Sequence, residues 1–178
     1  MIIKKLGIDE KDARIITFFT ENPHITQKEI AERLGITQPS VNTRVQNLIE
    51  KGIMKFQVGV DLSRSGLYLA RVDFTAKNAN DVIEKLRNCT FFVNGYIMSG
   101  KNNVSVFLVA ENLKKIDEIV RDVIKKDPDN SDINVNLVVS SAINSPVKIN
   151  FLHELELGDG KCPYSPEICK DCKKVLGK

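Results

Sequence analysis

Three cysteines crowd the end of the chain. Cys162, Cys169 and Cys172 spell C-x6-C-x2-C, a spacing in which two thiolates can meet one ion in a tight turn while the third closes over it. Soft sulfur ligands of this kind suit zinc or an iron–sulfur cluster. Both centres call for four ligands, so one must come from elsewhere. His153 is the nearest candidate and would complete a set of three cysteines and one histidine. The fourth cysteine, Cys89, lies mid-chain at the end of a helical stretch, where a thiol packs as a small buried apolar group. Two other readings of the tail are a redox pair and chemically idle thiols, with Lys170, Lys173 and Lys174 favouring the thiolate. The spacing leaves zinc, iron–sulfur and redox switch open.

A second constellation sits near the other end, in QPSVNTRVQNLIEKG. Read at helical period, Val41, Val45 and Leu48 turn inward, which sends Ser40, Thr43, Gln46 and Asn47 outward with Gln38 and Arg44 at the rim. No Asp or Glu falls between Thr37 and Ile49. An ordinary solvated helix face is dominated by Glu and Lys, so an acid-free face of amides and hydroxyls asks for another explanation. Amides and Arg make paired contacts to adenine and guanine edges, and hydroxyls serve bases or phosphates. Gln38, Ser40, Thr43, Arg44 and Asn47 are therefore the candidate DNA-contacting residues, and Lys28, Arg33, Lys51 and Lys55 could hold the backbone.

These residues need elements to hold them. Asp9 can cap a helix running to Asn22, stopped by Pro23, with Ile15, Ile16 and Phe19 facing inward. Thr26 and Glu29 form a capping box for a second helix. Gly35 supplies the positive φ of a tight turn, and Thr37 caps the third helix, which Gly52 ends. Helix, Gly-containing turn and second helix is a DNA-reading arrangement. IMKFQVGVD then reads as a strand or short wing. Further on, LYLARVDFTA, NDVIEKLRN, FFVNGYIMSG, NVSVFLVA, LKKIDEIVRDVIKK and DINVNLVVSSAI give β-α-β-β-α-β, the order of the ferredoxin-like split unit. Leu113, Ile116, Ile119, Val120, Val123 and Ile124 form the apolar stripe of its second helix. The fold class is α+β. The expected domains are a DNA-binding domain over 1–60, a sensing and dimerisation domain over 61–150, and a cysteine-rich tail over 151–178.

Composition agrees and excludes alternatives. The chain has 178 residues, 42% hydrophobic and 28% charged, an ordinary globular balance. No stretch approaches the ~18 consecutive apolar residues of a membrane helix. The start lacks a signal-peptide core, so a cytoplasmic location is expected. A net charge of +3 excludes a polycationic packaging protein and permits a local basic patch.

The pair Asp9 and Asp12, the turn ITQKEIAERLGIT and the helix SVNTRVQNLIEKGIM resemble the winged helix-turn-helix of the Lrp/AsnC (leucine-responsive) transcriptional regulators. The βαββαβ segment resembles their second domain, and the likeness covers about residues 6–145. It implies a homodimer or higher homo-oligomer, assembled through the sheet, that binds palindromic double-stranded DNA and is no enzyme. One departure stands out: Asn103 occupies the place where the family carries an Asp three residues after a Gly, here Gly100. A neutral amide cannot hold an amino group as a carboxylate can, so either the effector differs or Asn103 serves the hairpin turn. A second likeness is to the sirohaem decarboxylases, which share the two-part architecture. They carry His, Tyr and Arg on the strand matching FFVNGYIMSG, where this chain has only Tyr96. A protein of the same fold that binds an effector or partner without DNA is the other alternative. His24 reads as a plain turn residue.

Overall fold

The computed structural model describes residues 2–87, 89–142, 146–149 and 151. The chain divides into two units, Met1–Phe56 and Gln57–Lys178.

The first unit is helical: α1 (Ile2–Leu6), α2 (Glu10–Glu21), α3 (Gln27–Leu34) and α4 (Gln38–Glu50). Local signals set most of its boundaries. Asp9 caps α2 in a complete capping box with Asp12, and Thr26 caps α3 in a second box with Glu29. Asn22 closes α2 as expected. The one-turn helix α1 was not foreseen. Ile15, Ile25, Ile30, Ala31, Val41, Val45, Leu48 and Met54 form the core.

The expected strand over IMKFQVGVD does not form as a ladder. The backbone N–H groups of Ile53 and Met54 both donate to the Leu48 carbonyl, at 3.0 and 3.1 Å, closing the end of α4. Met54 is buried with the helices, and Phe56 meets Phe19 edge-on at 5.1 Å. The donors of Ile53 and Met54 are thus committed to the end of α4, and Val60, already in the second unit, makes an isolated antiparallel bridge to Val147.

In the second unit a short helix α5 (Leu62–Ser65), also unforeseen, precedes β1 (Tyr68–Ala76), α6 (Ala79–Arg87), β2 (Phe92–Ile97), β3 (Val104–Ala110), α7 (Leu113–Ile119) and β4 (Asn130–Leu137). The strands form one antiparallel sheet in the order β2-β3-β1-β4, so the βαββαβ expectation holds. Alternate residues of the two central strands, Ala70, Val72, Phe74 and Ala76 on β1 and Val104, Val106, Leu108 and Ala110 on β3, are buried with Leu86, Ile116, Ile119, Val120 and Ile124. Fully burying a large side chain of this kind contributes about 1.5–3 kcal/mol. Cys89 is 5% exposed in the same core, as its reading as a packed thiol required.

Helix α7 departs from expectation twice. Leu113 was placed on the inward stripe but is 46% exposed. It directly follows the N-cap Asn112, so the burying face begins one turn later. Val120–Lys125 then continues as a π-helical turn, within which Val120 and Ile124 stay buried. Among the described residues, no helix is long and apolar enough to cross a membrane.

Candidate nucleic-acid interface

The turn between α3 and α4 is set by Gly35, which adopts φ +62°. A Cβ there would meet nothing within 4 Å, so backbone conformation and not space demands glycine. Thr37 stands at the N-cap with extended backbone, but its side chain makes no capping bond. Pro39 in the first turn does the local work instead, because its fixed φ suits a helix start and its missing N–H is not needed there.

Val41, Val45 and Leu48 are buried, as expected, and they fix which side of α4 faces water. At 100° per residue, Thr43, Gln46 and Asn47 lie opposite the buried stripe. Gln38 and Asn42 occupy one flank; Ser40, Arg44 and Lys51 occupy the other. Gln38, Thr43, Gln46 and Asn47 are exposed and Ser40 is half-buried. The Thr43 hydroxyl donates to the Pro39 carbonyl at 3.0 Å and keeps its acceptor capacity. Ser40, Thr43, Arg44, Asn47 and Lys51 line an open concavity of about 500 Å³ together with Ile8 and Asp12.

Arg44 is held differently from the other four candidates. Its Nη1 lies 2.7 Å from Asp9 Oδ2 and 2.7 Å from Asp12 Oδ1. The remaining carboxylate oxygens belong to the α2 capping box: Asp9 Oδ1 accepts the Asp12 N–H at 2.8 Å, and Asp12 Oδ2 accepts the Asp9 N–H at 3.3 Å. The Asp12 backbone N–H, with the Arg44 guanidinium beside it, holds the Asp9 carboxyl below the usual range. The carboxylates of Asp12 and Asp9 in turn raise Arg44. In the sequence the acidic pair stands apart from α4, with nothing nearby to connect the two. No local pattern reveals a bond across 35 residues.

Of the backbone-holding candidates, Lys28, Lys51 and Lys55 are exposed, while the Arg33 guanidinium lies over the Phe18 ring at 5.3 Å. His24 is exposed, and its backbone N–H donates to the Asn22 side chain.

In the second unit, the Asn103 side chain makes two bonds to Ala76. Its Oδ1 accepts the Ala76 N–H and its Nδ2 donates to the Ala76 carbonyl, both at 2.8 Å. Thr75 Oγ1 donates to the Lys101 carbonyl at 2.7 Å and Asn102 Nδ2 to the Asp132 carbonyl at 3.2 Å. The β2–β3 turn is strapped to its neighbours, and Asn103 does the work of a hairpin residue. His153, Cys162, Cys169 and Cys172 lie outside the described residues.

A family described as winged helix-turn-helix DNA-binding matches residues 8–54. The regulator LrpA of Pyrococcus horikoshii is 28% identical over 123 residues, spanning 67% of this chain and 87% of that protein. The regulatory protein AsnC of Haemophilus influenzae is 27% identical over 107 residues, 57% of this chain and 70% of its own. Among solved structures, AsnC of E. coli superposes with TM-score 0.66 at 17% identity, covering 76% of this chain and 95% of that one. LrpC of B. subtilis does so with TM-score 0.66 at 21% identity, covering 78% and 99%. Residues 8–54 thus match a DNA-binding domain, and most of the chain is similar in sequence and in fold to transcriptional regulators named LrpA and AsnC.

Proposed function

We propose that the chain reads double-stranded operator DNA in the major groove with Gln38, Ser40, Thr43 and Asn47 of α4. It works as a homodimer or higher homo-oligomer, and a metal, iron–sulfur or redox signal received through Cys162, Cys169, Cys172 and His153 modulates it. The observation that carries the DNA reading is the solvent face of α4, which bears amides and hydroxyls and no acid before Glu50, on a helix fixed by three buried residues. Such a face matches the donor and acceptor pattern of base edges. Arg44 borders that face with its Nη1 committed to Asp9 and Asp12. Paired reading helices in a symmetric dimer would take an inverted-repeat site.

Selection of bound duplexes from a random-sequence pool tests the DNA reading: a recovered consensus supports it, and an unenriched pool removes it. The tail reading rests on the C-x6-C-x2-C spacing. Its test is purification without oxygen, followed by a visible spectrum and metal analysis. Brown protein with equivalent iron and sulfide indicates a cluster, and colourless protein with zinc indicates a zinc site. Metal-free protein whose thiols show no reversible oxidation removes the tail from the account.

A further inference from the structure

Arg44 sits on the reading helix, three residues before Asn47 and four after Ser40, yet its Nη1 is bound to the start of another helix. Apolar contact through Val41, Val45 and Leu48 decides which side of α4 is buried, but such contact is non-directional and tolerates rotation about the helix axis. A hydrogen bond does not. Both acceptors are themselves fixed: each carboxylate uses one oxygen to cap α2 and offers the other to the same guanidinium nitrogen. The Arg44 side chain is 29% exposed and that of Asp12 18%, which shields the bond in part from solvent. Nη1 donates to both carboxylates, which uses its two N–H groups and leaves that nitrogen none to offer a phosphate.

We infer that Arg44 is a positioning residue, locking the rotation of α4 onto the Asp9–Asp12 capping box so that Ser40, Thr43 and Asn47 present together, and that it makes no DNA phosphate contact of its own. The inference rests on α4 being the reading helix.

The test compares wild type with Arg44→Gln, with the double variant Asp9→Asn and Asp12→Asn, and with Asp9→Asn alone. Asn caps a helix as well as Asp does, so α2 keeps its start in the last of these even if the double variant melts early. Binding is measured over a salt series to two duplexes of equal length: one enriched from a random pool by the wild-type protein, and one unselected. Positioning predicts that Arg44→Gln and the double variant each lose about tenfold on the enriched duplex, while Asp9→Asn alone loses a smaller part of that. The unselected duplex should bind as before, and the salt slope should not change. A fold defect would weaken both duplexes together. Removing two negative charges beside DNA would tighten binding if bulk electrostatics alone mattered, so the sign for the double variant is decisive.

The inference is overturned if Arg44→Gln lowers the salt slope by about one, which marks a lost phosphate contact. It is equally overturned if the aspartate variants bind the enriched duplex as well as wild type or better. A wild-type protein that enriches no sequence overturns the reading of α4 and this inference with it, a result distinguishable from the other two.

Discussion

Each unit has a side chain that fastens one element to a distant stretch of sequence, and the two do so with different chemistry. In the first, Arg44 ties α4 to carboxylates 35 and 32 residues away. In the second, Asn103 ties the β2–β3 turn to a backbone amide and carbonyl 27 residues away. The first lock is ionic and partly open to water; the second is neutral and part-buried. An ionic lock near the surface is screened by salt and titrates with acid. A neutral amide against a strand end does neither, and its strength comes from leaving no buried backbone group unpaired. The chain thus carries its condition-sensitive lock beside the face of α4 proposed to read DNA and its indifferent one in the sheet.

The largest effect should come from breaking what the first lock serves. Thr43→Glu with Asn47→Glu places two carboxylates against DNA from exposed positions. Operator affinity should fall by about a hundredfold or more while the melting temperature stays near that of wild type. Loss of folding together with binding would show that these side chains support the helix and do not read.

The next test removes the neutral lock. Asn103→Ala leaves the Ala76 N–H and carbonyl without their partner and should cost about 2–3 kcal/mol in denaturant unfolding of the second unit, equally at low and high salt. Asn103→Asp keeps an acceptor for the N–H but sets a carboxylate oxygen against the Ala76 carbonyl, so it should recover only part of that loss. Full recovery would mean that the turn needs only one of its two bonds.

These two locks show what the sequence revealed and what it hid. Asp9, Thr26 with Glu29, and Gly35 announced helix boundaries because caps and αL turns are written within three or four residues. The strand and helix order of the second unit was legible because its hydrophobic period changes from 2 to 3.6 at each step. The buried stripe of α4, and hence its outward face, followed from the same periodicity. Spacing placed Arg44 at the rim of the outward face but could not show Asp9 and Asp12 waiting beside it, because spacing shows which face a residue takes and not which partner it meets. Asn103 could be weighed only as turn residue or altered sensor until Ala76 was seen opposite it. The strand expected over IMKFQVGVD does not form for a related reason: whether Ile53 and Met54 donate to a strand or back to Leu48 is decided by tertiary packing.

A smaller effect should separate the two locks by pH. The Asp9 carboxyl in the folded state lies below its ordinary value. The stability it contributes is therefore fully present above the unfolded carboxyl pKa of about 3.9 and is lost as pH falls through the folded value. A pH series of thermal melts should show Asp9→Asn flattening the acid dependence of the first unit, whereas Asn103→Ala should leave unchanged that of the second, which has depressed carboxyls of its own at Asp61 and Asp122. No flattening by Asp9→Asn, or an equal flattening by Asn103→Ala, would erase the contrast. The smallest change should follow Glu10→Gln. The Arg14–Glu10 pair is close, at 2.7 Å, but its side chains are 59% and 76% exposed, so melting and DNA binding should both match wild type.

The account depends most on α4 being the element that reads DNA. The direct measurement is selection of duplexes from a random pool by the wild-type chain, run beside the Thr43→Glu and Asn47→Glu double variant under the same salt. The account predicts an inverted-repeat consensus for wild type and an unenriched pool for the variant. The same consensus recovered by both proteins would contradict it.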